Sequence, residues 1–348
     1  MGLVDLLKKL SETYGVPGFE SKISSVIREE IENFVDSIKV DDLGNLITTK
    51  GSGEKSIMIA AHMDEIGLIV KHIDEKGFIR FAKLGGIADH LLLGSRVLVH
   101  TEKGPIPGVI GCKPIHLMKD EERKQLVTYE KMFIDIGARS LTEAKEFGVK
   151  IGNPITLDRN FVELKNNFVC GKAFDDRVGC AVLIEVLKKS KPKNKLFGVF
   201  TVQEEVGLRG ATVSAFSLNP NVGIAVDTTT SADHPEVAEH EAPIKLGLGP
   251  ALLVADGRRE SLSGGLISNF NLRNKIINLA EKLKIPYQLE VMEGGTTDAT
   301  AIQLTQRGIP TCVISIPTRY VHSFSEVLNL KDVENTIKLL TAFVEQEL

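Results

Sequence analysis

From about residue 161 onward, short apolar runs alternate with amphipathic segments of helical periodicity, and this alternation restricts the fold more than any other feature. The runs "KLFGVF", "NVGIAV" and "PTCVISIP" are rich in apolar and β-branched residues and have the length of buried strands. The segments "DDRVGCAVLIEVLKKSK" and "LKDVENTIKLLTAFVEQEL" repeat their apolar residues at helical spacing. The alternation predicts an α/β fold with a mixed, largely parallel sheet covered by helices on both faces.

Residues 67–160 follow a different pattern. Short β-branched runs such as "GLIVKHID" and "SRVLVHT" are separated by Gly, Pro and Asp, and only "SLTEAKEFGV" is a convincing helix. The pattern predicts an inserted β-rich domain, a barrel or a sandwich, that begins at Gly67. The expected division is a discontinuous α/β domain, residues 1–66 and 161–348, and an inserted domain, residues 67–160.

The amino-terminal segment is predicted to be an amphipathic helix rather than a secretion signal, because charged residues interrupt its leucines. A second helix is expected near Ser21, which follows a turn and is a suitable N-cap. No stretch approaches the roughly 18 apolar residues of a membrane span. A formal net charge of -4, without a long basic run, disfavours a nucleic-acid partner. We therefore expect a cytoplasmic protein that binds neither membranes nor nucleic acids.

Histidines and carboxylates directly follow several of the predicted buried strands. They are His62 and Asp64 after "SIMIAA", Glu204 and Glu205 after "GVFTVQ", Asp227 after "NVGIAV", and His322 after "CVISIPTRYV"; Asp175 and Asp176 precede the first long helix of this region. Ligands of open α/β sheets bind beyond the carboxyl ends of the strands, so we expect these side chains at one edge. A single histidine or acidic pair is more often structural or solvated. Together they predict a metal site, because solvated acids have no reason to recur after buried runs.

The donor types indicate a cation such as zinc or cobalt, which nitrogen and oxygen ligands bind well. The four cysteines are scattered without a CxxC pair, which favours reduced, buried thiols. The donors exceed what one tetrahedral ion needs, and a carboxylate shared by two ions would use the surplus. Asp64 is suitably placed to accept the proton on the second ring nitrogen of His62. In the pair Glu204–Glu205, one carboxylate is suited to bind metal and the other to act as a general base.

An ordered set of motifs makes the chain resemble the M42 family of metallo-aminopeptidases, the self-compartmentalised TET-type enzymes, and more broadly the M18, M20 and M28 peptidases. The motifs are "AAHMDEIG", "GKAFDDRVG", "TVQEEVGLRG", "AVDTTT", "GGTTDAT" and "YVHS", and the resemblance spans essentially the whole chain. It implies metal ligands at His62, Asp175, Glu205, Asp227 and His322. It further implies that Asp175 bridges two ions, with Asp176 as the alternative, across a cis Asp175–Asp176 peptide. Glu204 is then the general base, with Asp64 behind His62.

The resemblance also implies a reaction on peptide substrates. Two divalent ions, Zn or Co, hold a water that Glu204 deprotonates, and the N-terminal residue is hydrolysed from the peptide. Thr297 and Asp298 are candidate substrate-binding residues, although a helix cap at Thr296 or Thr297 is an equally good interpretation. A related deacylase or carboxypeptidase is the nearest alternative. A glycoside hydrolase of the endoglucanase type would also use paired carboxylates, but 5% aromatic residues without Trp disfavour a sugar-binding cleft.

A resemblance to TET-type enzymes implies a homo-oligomer, a tetrahedral dodecamer built from dimers that join through the inserted domain. Within that domain, "GCKPIH" (111–116) resembles the family's Lys-Pro-Pro-His motif, with Ile115 in place of the second proline. His116 is a candidate contact with a neighbouring subunit's site, and a structural role is the alternative. The sequence by itself supports the insertion and not the size of the particle.

Overall fold

The computed structural model describes residues 2–241 and 243–348, whose strands form two separate sheets. In chain order the strands are β1 (Ser37–Val40), β2 (Leu46–Lys50), β3 (Ser56–His62), β4 (Gly67–Ile73), β5 (Ile79–Leu84), β6 (Arg96–Thr101), β7 (Gly104–Gly111), β8 (Phe133–Asp135), β9 (Pro154–Leu157), β10 (Val162–Glu163), β11 (Phe168–Gly171), β12 (Lys195–Thr201), β13 (Val222–Thr230), β14 (Ala251–Gly257), β15 (Gln288–Glu293), β16 (Thr311–Arg319) and β17 (Glu326–Asn329). The helices are α1 (Leu3–Glu12), α2 (Ser21–Ile31), α3 (Asp89–Leu92), α4 (Asp120–Arg123), α5 (Leu141–Glu146), α6 (Phe174–Lys189), α7 (Arg209–Leu218), α8 (Phe270–Leu283), α9 (Asp298–Gln303) and α10 (Leu330–Val344).

The larger sheet has the strand order β1-β2-β12-β3-β13-β16-β17-β11-β10, with β14 and β15 attached through β16. Its four central strands, β12, β3, β13 and β16, are mutually parallel. Antiparallel strands flank them, β2 beside β12 and β17 beside β16. The predicted mixed sheet with a parallel centre is confirmed.

Helices cover both faces of this sheet, and strand β3 shows why its sequence is apolar throughout. Ile57, Ile59 and Ala61 pack on the side of α1, α2, α6, α8 and α10. Met58 and Ala60 point to the opposite side, where α7 and α9 pack. A strand buried on both faces needs an apolar side chain at every position. Burial of each large aliphatic side chain contributes roughly 1.5–3 kcal/mol to folding, which stabilises β3 between the two helical layers.

The smaller sheet is a closed antiparallel barrel with the order β4-β5-β8-β7-β6-β9 and its own apolar core. The predicted β-rich module is therefore a barrel rather than a sandwich. Its first strand begins at Gly67, five residues after β3 ends at His62. A side chain at Gly67 would overlap Val16, so the barrel lies close against the segment after α1. This close approach places the barrel beside the carboxyl end of β3.

The start of α2 differs from the prediction by one residue. Ser21 is the first helical residue, Glu20 occupies the N-cap position, and no side-chain hydrogen bond caps the helix. The Glu20 side chain is instead buried and accepts hydrogen bonds from the N–H groups of Gly18 (2.8 Å) and Gln203 (3.2 Å). Glu20 is thus used to hold the chain next to Glu204 rather than to cap α2.

The cysteines only partly follow the prediction of buried thiols. All four are free, but Cys112 and Cys170 are partly exposed, whereas Cys180 and Cys312 are buried.

Within residues 2–241 and 243–348, each helix is too short or too polar to cross a lipid bilayer.

Candidate metal centre

The strand register brings the polar residues of separate segments to one edge of the large sheet. Thr201, at the end of β12, pairs with His62 at the end of β3. Asp227 lies within β13, opposite Ser315 of β16, and β13 continues for three residues beyond it. His322 follows β16 after two residues. The expected convergence at the carboxyl ends of the parallel strands is therefore present.

Two groups of possible metal ligands form at this edge. One comprises His62, Asp175 and Asp227, and the other comprises Asp175, Glu205 and His322, with the ligand atoms of each group within 4.8 Å of one another. Asp175 Oδ1 lies 3.0 Å from His62 Nε2, and Asp175 Oδ2 lies 3.4 Å from His322 Nε2. Asp175 is the residue that the two groups share.

Asp176 lies in neither group, although it was the alternative to Asp175. Its fully buried carboxylate accepts hydrogen bonds from the N–H groups of His62 (3.1 Å) and Gly179 (2.9 Å). A side chain at Gly179 would overlap that carboxylate, which explains the glycine in "DDRVG". The geometry thus favours Asp175 as the shared ligand, and the peptide between the two aspartates is cis.

Asp64 supports the site in a different way from the one predicted. His62 Nδ1 lies 3.1 Å from the main-chain carbonyl oxygen of Asp64 and 3.7 Å from its carboxylate. The carboxylate oxygens accept hydrogen bonds from the N–H groups of Glu204 (3.0 Å) and Glu205 (3.1 Å). The carboxylate therefore lies beyond hydrogen-bond distance of His62 Nδ1, and the carbonyl oxygen of Asp64 takes the position predicted for it. A proton on Nδ1 still leaves Nε2 free to face Asp175.

Glu204 lies beside the cluster without belonging to either ligand group. Its Oε2 is 3.9 Å from His62 Nε2, and its side chain is 11% exposed. Burial raises the pKa of Glu204 well above its ordinary value; His62 opposes the rise, and Asp227 and Asp298 reinforce it. A carboxylate that lies beside the cluster but outside both ligand groups is suited to act as a general base.

Negative charge dominates the cluster. Burial raises the pKa of Asp227 well above its ordinary value and that of Glu205 to about 7, and the nearby Asp175 adds to both shifts. Although burial opposes it, hydrogen bonding to Asp175 and the charge of Glu205 raise the pKa of His322 to about 10. The surroundings thus favour a bound proton on each of these three groups.

An unsatisfied oxygen also fits bound cations. Glu205 Oε1 is buried and makes no hydrogen bond within the described residues, although His322 Nε2 is 3.4 Å away. A buried acceptor without a donor is costly unless a cation or a donor completes it. The nitrogen and oxygen donors, the surplus of negative charge and this open oxygen together fit divalent metal ions.

The two candidate substrate-binding residues lie at the start of α9. Thr297 is the N-cap and accepts a hydrogen bond from the Ala299 N–H group, so the capping interpretation applies to it. Asp298 Oδ2 accepts a hydrogen bond from Thr201 Oγ1 at 2.5 Å, while its buried Oδ1 has no partner in the part of the chain that the structure describes. Burial raises the pKa of Asp298 to about 6. Asp298 is therefore a buried carboxylate beside the cluster, with one oxygen bound to Thr201, and it belongs to neither ligand group.

A buried ion cluster fixes the backbone next to the metal centre. Glu65 accepts hydrogen bonds from Lys172 Nζ (2.6 Å) and from the Gly15 N–H group (3.1 Å). Arg177 lies 3.5 Å from Glu65 and donates to the carbonyl of Met63 at 2.9 Å. Loss of one partner from such a buried pair costs roughly 3–5 kcal/mol. The cluster joins the segments that follow Asp64 and Asp176, and Glu65 itself belongs to neither ligand group.

The barrel contributes to the site through a loop that the sequence argument missed. A side chain at Gly86 would lie 2.9 Å from His322 Nδ1, and one at Gly85 would lie 3.0 Å from Glu205 Oε2. The backbone of this loop therefore packs directly against the second ligand group. The doublet "GG" after β5 was a signal of close backbone approach, but nothing in the sequence connected it with the metal site.

Known proteins are similar to this chain in both sequence and fold. The model of the family described as M42 glutamyl aminopeptidase matches residues 44–339. Lysyl aminopeptidase of Pyrococcus furiosus is 37% identical over 347 residues, which cover 98% of this chain and 96% of that protein. An aminopeptidase structure from Desulfurococcus kamchatkensis is 40% identical, with 99% of this chain and 95% of that chain covered and a TM-score of 0.94.

A third relative is the TET1 peptidase of Pyrococcus horikoshii, which can assemble into a tetrahedron or a large octahedral shell. It is 38% identical, with 99% of this chain and 100% of that chain covered and a TM-score of 0.89. The family match and these full-length similarities agree with the motifs that converge on the candidate metal centre. The chain therefore belongs to the M42 family of aminopeptidases.

Proposed function

We propose that this chain removes N-terminal residues from peptides at a pair of divalent cations, with Glu204 as the general base. One observation carries the proposal: Asp175 belongs to both ligand groups, while Glu204 lies outside both and 3.9 Å from His62. Hydrolysis at a binuclear site needs one carboxylate that binds both cations and another that stays unbound to act as the base.

The ligand assignment follows from the two groups. His62, Asp175 and Asp227 would hold one cation, and Asp175, Glu205 and His322 would hold the other. Nitrogen and oxygen donors without a thiolate fit zinc or cobalt. When bound, such cations supply Lewis acidity at the scissile carbonyl and acidify the attacking water.

The protein groups perform the proton transfers and the selection of the substrate. Glu204 takes a proton from the attacking water and gives it to the leaving amine, a role open to a carboxylate that is not itself a ligand. Asp64 holds the Glu204 backbone in place through the N–H group. The carboxylates of the cluster favour the positively charged α-amino group of a peptide over a neutral, blocked terminus.

Blocking the amino-terminus is the test of this activity. We expect a metal-loaded enzyme to hydrolyse free aminoacyl-p-nitroanilides about a hundredfold faster, or more, than their N-acetylated forms, because loss of a buried charge pair costs roughly 2–5 kcal/mol. Release of p-nitroaniline measures both rates. Tripeptides with a free or an amidated carboxyl-terminus and a β-glucan are assayed in parallel.

Each rival activity gives a different result in this assay. Equal release of p-nitroaniline from free and acetylated substrates would exclude an aminopeptidase, because the free amino group would not be required. Release of acetate from the acetylated substrate would indicate a deacylase. Release of the C-terminal residue, abolished by amidation, would indicate a carboxypeptidase. Hydrolysis of the β-glucan alone would indicate a glycoside hydrolase.

We also propose that residues 67–160 form an oligomerisation domain and that residues 1–66 and 161–348 form the catalytic domain. Between β7 and β8 the chain exposes apolar side chains: Ile115 is 59%, Leu117 is 69% and Leu126 is 78% exposed. Exposed apolar clusters favour association. The proposed assembly is a tetrahedral dodecamer built from dimers. The tetrahedron that the TET1 relative can form supports the tetrahedral shape, and the exposed His116 lies on this surface.

A further inference from the structure

Glu326 connects the two segments that carry the second ligand group. It is the first residue of β17 and is 1% exposed. Its Oε2 accepts a hydrogen bond from the Asp175 N–H group at 3.1 Å. Its Oε1 accepts one from the His322 N–H group at 3.0 Å. A single carboxylate therefore holds residues that are far apart in sequence.

The two N–H groups belong to irregular backbone. Asp175 has φ −74° and ψ 105° within the first turn of α6, outside the helical region. His322 has φ 60°, in the left-handed region. For a residue with a side chain that conformation costs roughly 1–2 kcal/mol and persists only where the surroundings enforce it. The N–H groups of Asp175 and His322 make no regular helix or sheet hydrogen bonds. Their backbone positions therefore depend on the Glu326 carboxylate that accepts from both.

The β-structure holds Glu326 itself in place. Strand β17 pairs with β11, where Glu326 lies opposite Gly171, and also with β16, where Val327 lies opposite Arg319. β11 leads directly into α6 and its Asp175, and β16 leads into His322. Glu326 therefore lies where both ligand-bearing segments leave the sheet, on a rigid base.

We propose that Glu326 is a positioning residue that sets the separation of Asp175 and His322 for a shared cation. Glu326 itself belongs to neither ligand group. This inference rests on the cation pair of the proposed function. Groups that orient metal ligands typically account for about 10–100-fold in metal affinity.

The substitution Glu326→Gln tests this role. The amide keeps the volume of the side chain but presents an NH₂ group to one of the two N–H donors, so one hydrogen bond is lost. Glu290→Gln is the matched control, because Glu290 is 5% exposed on β15 and accepts a hydrogen bond from Thr229 without contacting a ligand. Zinc dissociation constants from titration against a competing chelator are compared for the wild type and both variants, with thermal unfolding of each metal-free protein.

We expect Glu326→Gln to weaken one of two zinc sites by about 10–100-fold, with kcat recovering as free zinc is raised and KM unchanged. Glu290→Gln retains both zinc sites at wild-type affinity. Wild-type affinity at both sites in folded Glu326→Gln would overturn the role of Glu326, as would a lower unfolding temperature with unchanged zinc affinity. A wild-type protein that binds fewer than two zinc ions would instead overturn the proposed cation pair.

Discussion

Replacement of Glu204 by Gln is expected to lower kcat by about two to four orders of magnitude and to leave metal content unchanged. The amide keeps the size of the side chain but cannot take a proton from water. Because Glu204 lies outside both ligand groups, the cations should remain bound. The raised pKa of Glu204 in the metal-free protein is consistent with a group that exchanges protons at this position. Steady-state kinetics and metal analysis on one sample measure both effects.

Glu334→Gln provides the matched control, since it makes the same chemical change at an exposed position on α10. It should retain wild-type kcat and metal content. If Glu204→Gln turned over substrate at the wild-type rate, Glu204 would not be the base. If it lost its metal as well as its activity, Glu204 would be a ligand instead.

Replacement of Asp175 by Asn is expected to abolish binding of both cations, whereas Asp227→Asn should abolish binding of one. Asp175 contributes one oxygen toward His62 and the other toward His322, but Asp227 belongs to the first group alone. A neutral amide keeps one oxygen donor and replaces the other by a hydrogen-bond donor. Loss of the cations removes several kcal/mol of transition-state stabilisation, so activity should fall about a thousandfold or more in Asp175→Asn.

The number of metal ions per subunit after gel filtration distinguishes the two variants. Circular dichroism and thermal unfolding show whether each variant is folded. Loss of one ion from Asp175→Asn, or of both from Asp227→Asn, would contradict a bridge at Asp175. A folded Asp176→Asn variant that lost both ions while Asp175→Asn kept them would restore the alternative assignment.

The sequence predicted those site residues whose own side chains form the cluster. His62, Glu204, Glu205 and His322 follow apolar runs that can only be buried strands, and parallel strands must bring their carboxyl ends together. The same reasoning predicted the parallel centre of the large sheet. Adjacent residues are equivalent in such a pattern, so only the family resemblance implied Asp175, with Asp176 as the alternative; the two ligand groups favour Asp175.

Residues that act through backbone N–H groups could not be found in this way. Glu326 holds Asp175 across 151 residues, and Glu20 holds Gln203 across 183 residues. A carboxylate that accepts from a distant main chain leaves no spacing pattern in the sequence. Ser21 shows the same limit. It is a good capping residue, but Glu20, one position earlier, occupies the N-cap position and uses its side chain for tertiary hydrogen bonds. Asp64 was found by its spacing, but its carboxylate serves the β12 turn instead of His62.

A metal titration of the metal-free enzyme tests the binuclear aminopeptidase most directly. The protein is stripped with a chelator, zinc or cobalt is added in known amounts, and hydrolysis of free aminoacyl-p-nitroanilides is followed at each step. Two ligand groups that share Asp175 predict two ions bound per subunit and full activity only when the second site is filled. Full activity in the stripped protein, or saturation of binding and activity at one ion per subunit, would contradict this account.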